Sequence, residues 1–150
     1  MSINRTIHNP LILVVEDDED DRDFIREALE DADLPCQLRF ARDGVDALEQ
    51  LDSLDRLPTL ILCDVNMPRL DGFGLLDHLR ASPRLRCLPV VMFSTSGNNE
   101  TVATAFERGA NSYVTKPTSY FDFSRVLGEV RSYWLNLSRV PEHQYKEGCA

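Results

Sequence analysis

The chain has 150 residues, 43% of them hydrophobic, and its 25 acidic against 16 basic side chains give a net charge of −9. A chain of this length buries roughly 68–70% of its unfolded surface, so one domain with a real core is expected without disulfide or metal staples. The acidic balance argues against a nucleic-acid-binding surface, no apolar run approaches the ~18 residues that span a membrane, and Met1 to Thr6 lack the apolar core of a signal peptide.

Apolar runs alternate with amphipathic stretches along the chain. Leu11–Val15 reads as a first strand, with Pro10 before it and acids after it. Asp21 to Ala32 carries Phe24, Ile25, Ala28 and Leu29 at helical spacing. Gln37–Ala41 is a weaker strand, and Gly44 to Leu51 repeats the helical pattern. Leu60–Cys63 is a third strand, followed by a helix from about Gly72 through Leu79. Pro89 opens a fourth strand, Val90–Phe93. Asn98 or Asn99 caps a helix running to about Arg108, where Gly109 is a stop signal. Ser112–Thr115 is a fifth strand, and the last helix starts near Thr118 or Ser119. Strands alternating with helices imply a parallel sheet covered on both faces. Five such units predict a flavodoxin-like doubly wound α/β fold of strand order 2-1-3-4-5, with its switch point between strands 1 and 3.

Cys36, Cys63, Cys87 and Cys149 are widely spaced. Their spacing excludes a zinc site, and Cys36 and Cys63, in or near apolar stretches, read as reduced thiols of a cytoplasmic protein. Asp64 follows the third strand directly, and Pro68 prevents a long continuation of it. A carboxylate is thus expected at the carboxyl end of a buried strand, where open α/β sheets place their sites. Glu16 to Asp21 are six acids in succession. Glu19, Asp20 and Asp21 read as a solvated helix N-terminus, favoured by the helix dipole. Glu16 and Asp17 instead follow the first strand and converge on Asp64 if strands 1 and 3 are neighbours. Two carboxylates ~4 Å apart repel by about 4 kcal/mol at an effective dielectric of ~20. Such a cluster calls for a hard cation, and Mg²⁺ suits it. Calcium-loop spacing fails, because Arg22 and Ala28 stand where glycine and glutamate belong. Lys116 follows the fifth strand at the same edge, as a fixed cation for the acids or for a phosphoryl oxygen. Ser94 and Thr95 end the fourth strand there, with a hydroxyl and an amide suited to an oxyanion.

Together Glu16-Asp17, Asp64 within Cys63-Asp64-Val65-Asn66-Met67-Pro68, Asp71-Gly72, Ser94 and Lys116-Pro117 resemble the receiver domain of two-component response regulators, from about Pro10 to Val130. The resemblance implies that Asp64 is the phosphoacceptor for a phosphohistidine on a sensor histidine kinase. It implies Mg²⁺ held by Asp17, Glu16, Asp64 and the Asn66 carbonyl; the family usually has Asp where Glu16 stands. It further implies that Lys116 and Ser94 contact phosphoryl oxygens, that Asn66 and Ser96 tune hydrolysis, and that Ser94 and Tyr113 form a switch. The expected outcome is a signalling protein, not an enzyme acting on other substrates.

The domain expectation is a receiver over 10–138 with an extended last helix, an N-terminal extension 1–9 and a tail 139–150. Because the chain stops after the receiver, its output is expected at its own surface, formed by the fourth helix, fifth strand and fifth helix. Tyr133, Trp134 and Leu137 lie beyond the usual receiver length and suggest a homodimer or docking face. Gly109 to Pro117 and Tyr133-Trp134-Leu135 before Pro141 are similar to single-domain regulators paired with phytochrome-type kinases. The alternative is a Mg²⁺-dependent phosphatase resembling haloacid dehalogenases, which want an acid two residues after the nucleophile, where this chain has Asn66.

Overall fold

The computed structural model of the chain describes residues 10–30 and 34–141. The extension 1–9 and most of the tail expected at 139–150 lie outside the described residues. Five strands, β1 (Leu11–Val15), β2 (Gln37–Ala41), β3 (Leu60–Cys63), β4 (Val90–Ser94) and β5 (Ser112–Thr115), form one parallel sheet of order β2-β1-β3-β4-β5. Five helices alternate with them: α1 (Glu19–Leu29), α2 (Gly44–Ser53), α3 (Gly72–Ala81), α4 (Asn99–Glu107) and α5 (Tyr120–Ser132). The flavodoxin-like order read from the strand–helix alternation is therefore present.

Alternation of side chains along the strands builds two cores. Leu13, Val15, Ile61, Cys63, Val90 and Met92 point to one face and pack against α2, α3 and α4 through Ala47, Leu51, Leu75, Leu79 and Ala105. Ile12, Val14, Leu60, Leu62, Val91 and Phe93 point to the other and meet Ile25 and Leu29 of α1 and Phe123 and Leu127 of α5. Both faces of β1, β3 and β4 are buried, which is why these strands are continuous apolar runs. Phe123 meets Phe93 edge-to-face at 5.2 Å between centroids, fixing α5 on the sheet. Cys36 and Cys63 carry free thiols.

Among the boundaries that differ from expectation, three have a clear physical cause or consequence. α1 begins at Glu19 rather than Asp21 because Asp18, one acid among six, is the N-cap, its carboxylate accepting from the amides of Asp20 and Asp21. It ends at Leu29 rather than Ala32, where the chain turns extended at Glu30. Beyond α5 the chain continues as a π-helix, Tyr133–Leu137, rather than as more α-helix. The wider turn buries Leu135 and packs Trp134 against the α1/α5 core, leaving Tyr133 and Leu137 exposed. Trp134 is therefore a core-packing residue, and only its two neighbours fit the expected exposed contact face.

Candidate functional site

Strand register brings the site together. β1 and β3 pair with Val15 opposite Cys63, so the residues after each strand, Glu16 and Asp64, emerge side by side. Main-chain hydrogen bonds extend the ladder past the strand ends: Asp64 N–H donates to Val15 O at 3.0 Å, Glu16 N–H to Ala41 O at 2.9 Å and Lys116 N–H to Ser94 O at 2.8 Å. The edge is held as firmly as the sheet itself.

Glu16, Asp64, Ser94 and Lys116 are buried there, whereas Asp17 is exposed at the rim. Carboxylate oxygens of Glu16, Asp17 and Asp64 all lie within 4.8 Å of one another. Lys116 Nζ donates to Glu16 Oε1 at 2.8 Å, to Asp21 Oδ2 at 2.7 Å and to Asp64 Oδ2 at 3.4 Å. Asp64 Oδ1 accepts from the Val65 amide at 2.7 Å, and Glu16 Oε2 accepts from the Asp18 amide at 3.1 Å. Burial and the facing Asp64 charge push the Glu16 carboxyl up to about 7, against the opposing pull of Lys116. Burial disfavours the Lys116 ammonium, but its hydrogen bonds to Asp21 and Glu16 outweigh that and raise its pKa, keeping it charged.

Three carboxylates thus contact one ammonium, and Asp17 adds a fourth beside Glu16 and Asp64. The donor set is all oxygen and partly exposed, and its excess negative charge is unrelieved. That chemistry fits a small hard divalent cation held by Glu16, Asp17 and Asp64.

The loop after β3 completes the rim. Gly72 N–H donates to Val65 O at 2.8 Å, closing residues 66–71 on themselves. A Cβ on Gly72 would lie 2.3 Å from the Asp64 carbonyl oxygen, so only glycine lets α3 start this close to the strand end. Asp71 caps α3 through the Gly74 amide at 2.9 Å. Asn66 is exposed, its amide donating to Ser96 Oγ at 3.2 Å across the mouth of the site. Ser94 Oγ accepts from the Ser96 amide at 3.3 Å. Tyr113 is half-buried against the α2–α4 core, and its hydroxyl donates to the Ser96 carbonyl. Thr95 lies exposed just past β4, which ends at Ser94, so the two residues do not end the strand together as expected.

Of the residues singled out from sequence, Glu16, Asp17, Asp64, Ser94 and Lys116 come together at this edge. Two participants do not stand out there. Asp21, assigned to a solvated helix end, turns its carboxylate onto Lys116. Asp43, the α2 N-cap, is buried and paired bidentately with Arg69 at 2.7 and 3.0 Å. Arg69 has a left-handed backbone, φ 67°, unusual for a residue with a side chain.

Comparison with known proteins adds the context. Residues 12–127 match the family model of the response regulator receiver domain. A probable methanogenesis regulatory protein, FilR2 of Methanothrix harundinacea, is 34% identical over 135 residues, covering 87% of each chain. Response regulator Rcp1 of Synechocystis sp. is 32% identical over 136 residues, covering 87% of this chain and 92% of Rcp1. The Mn²⁺-bound form of Rcp1 superposes with a TM-score of 0.81 at 31% identity, covering 88% and 99%. The phosphorylated cyanobacterial phytochrome response regulator RcpA superposes with a TM-score of 0.86 at 29% identity, covering 90% of this chain and all of RcpA.

Proposed function

The chain belongs to the response regulator receiver family, and from that premise we propose that Asp64 accepts a phosphoryl group from the phosphohistidine of a sensor histidine kinase. The carrying observation is the closed set of Glu16, Asp17, Asp64 and Lys116 at one sheet edge, three acids clustered and one buried ammonium among them. An Asp64 oxygen attacks phosphorus as the P–N bond breaks, and the imidazole leaves with the bonding pair. Asp64 Oδ1 is oriented by the Val65 amide, leaving Oδ2 on the open side toward Lys116. Lys116 neutralises a phosphoryl oxygen, and Ser94 offers its hydroxyl once it turns from Ser96. Positioning and charge neutralisation are most of what phosphoryl transfer asks of a protein.

Glu16, Asp17 and Asp64 would hold Mg²⁺, with the Asn66 carbonyl beside them. That ion would neutralise charge on the phosphoryl oxygens. The Mn²⁺-bound form of Rcp1 supports a divalent cation in a close relative. Ser94 and Tyr113 act as the switch: Tyr113 is anchored on the Ser96 carbonyl, which lies between Ser94 and the site mouth. Thr95, exposed and next to Ser94, offers its amide at the same rim. A phosphoryl contact made in one state shifts the population only by its differential strength. One charged hydrogen bond, ~1.5–3 kcal/mol, falls short of the ~5.5 kcal/mol needed for a full reversal. The shift is partial unless a partner adds to it.

That partner surface is α4, β5 and α5, where Phe106 of α4 and Phe121 of α5 are exposed, continued by Tyr133 and Leu137 of the π-helix. We assign it to a homodimer on those exposed apolar side chains, and the kinase to the phytochrome type on the likeness to RcpA. The net charge argues against a nucleic-acid partner, and no helix among the described residues is long and apolar enough to cross a membrane. We assign the cytoplasm on the free thiols of Cys36 and Cys63. The phosphatase alternative gains nothing: Asn66 has no acid function, and the matches are to signalling proteins.

Incubation with acetyl phosphate and Mg²⁺ tests the proposal. Intact mass should rise by one phosphoryl group, and borohydride reduction should convert residue 64 to homoserine. Folded protein that takes up no phosphoryl group, or takes it elsewhere, refutes it.

A further inference from the structure

Lys116 Nζ carries three protons, and three carboxylates face it. They are not equivalent. Glu16 and Asp64 belong to the cluster that fits a divalent cation, together with Asp17. Asp21 stands outside that group, yet makes the shortest contact, 2.7 Å against 2.8 Å for Glu16 and 3.4 Å for Asp64. A cation drawing on Glu16 and Asp64 removes two of the lysine's partners and repels its ammonium at the same time. A lysine stem is flexible and strongly hydrated at its head, so without another anchor it leaves the site for water.

Asp21 has the placement of that anchor. Its neighbours Glu19 and Asp20 are exposed, as acids in a first helical turn ordinarily are, while the Asp21 side chain is only 26% exposed. Its backbone is fixed by the cap, because the Asp18 carboxylate accepts from the Asp21 amide at 3.1 Å. The carboxylate reaches Lys116 from α1.

We infer that Asp21 is a positioning residue for phosphoryl binding: it keeps Lys116 in the site when the other two carboxylates are engaged by cation and phosphoryl group. One lysine proton stays on Asp21, which leaves another for a phosphoryl oxygen. The inference rests on the reading of Lys116 as a phosphoryl contact, and the experiment separates the two.

Beryllofluoride, a phosphoryl analogue, is titrated calorimetrically at saturating Mg²⁺ into wild type, Asp21→Asn, Lys116→Met and the double variant. A hydrogen bond to a charged group corresponds to about tenfold or more in an equilibrium constant. Lys116→Met is expected to weaken binding about 100-fold and Asp21→Asn about tenfold. The double variant should bind no more weakly than Lys116→Met alone, because Asp21 acts only through the lysine. Asp21→Asn binding as tightly as wild type, or losing the same factor in the Lys116→Met background, overturns the positioning role. Unchanged binding by Lys116→Met overturns instead the reading of the lysine on which it depends.

Discussion

Two charged clusters sit at the carboxyl edge of the sheet. In one, buried Asp43 meets a single guanidinium, that of Arg69, and also caps α2 through the Asp46 amide at 2.9 Å. Burial alone would raise the Asp43 pKa, but hydrogen bonds from Arg69 and the helix amides outweigh it and hold the carboxyl below its ordinary value. In the other, Lys116 is shared by Glu16, Asp21 and Asp64, and Asp17 adds a fourth carboxylate. Here Glu16 is pushed up to about 7 rather than down. The Asp43 cluster is charge-matched and clamps the loop after β3 to α2. The Asp64 cluster is left short of positive charge. Closed pairs hold a fold, and an unbalanced set marks where a ligand belongs.

The largest effect that tests this contrast is cation-linked stability. At about 100 times its dissociation constant, Mg²⁺ should stabilise the protein by about 2.7 kcal/mol, read as a shift in the denaturant midpoint. Alanine at both Glu16 and Asp17 should abolish that gain, while Asp43→Asn should leave it intact. The pH dependence has a definite sign. A carboxyl whose folded pKa is raised contributes stability that is full below its ordinary value and lost as pH rises through about 7. Without cation the Glu16 contribution therefore falls between about pH 5 and pH 8, and because protons compete with Mg²⁺, the cation's gain should grow over the same interval.

Carboxylate-to-amide changes should then act in opposite directions in the two clusters, measured in urea without divalent cation. Asp43→Asn keeps the cap but loses its charge-assisted pair. Discounted for the exposed Arg69, it should destabilise by about 1 kcal/mol. Asp64→Asn relieves repulsion on Glu16 and should stabilise by up to about 1 kcal/mol. Two changes of the same sign would break the contrast. The smallest effect is Tyr113→Phe, which removes one hydrogen bond to Ser96 and should cost about 0.5–1 kcal/mol while leaving phosphoryl uptake at Asp64 intact.

What was legible in the sequence follows from what has a local signal. β1, β3 and β4 fall where apolar runs meet proline or an acid, and Asn98 and Ser119 cap α4 and α5 as their positions suggest. Asp18 was hidden because Asp17, Asp20 and Asp21 beside it are equally good caps by type. The π-helix after α5 has no local signature, so reading Tyr133, Trp134 and Leu137 together as a surface beyond the usual receiver length overstated the exposure of Trp134. Asp21 and Arg69 were missed for another reason. Each acts through a partner 95 and 26 positions away, and neither has a flanking motif to announce it. Glu16, Asp64 and Lys116 were visible because strand ends declare themselves and the parallel order then places them together.

The most direct test of the central claim is phosphotransfer from a purified, ³²P-labelled histidine kinase of the phytochrome type. Label should pass to this chain only with Mg²⁺ present, reach at most one phosphoryl group per chain, be lost in Asp64→Asn and persist in Asp43→Asn. Label that reaches Asp64→Asn equally well, or transfer that proceeds unchanged after divalent cations are chelated, would contradict the account.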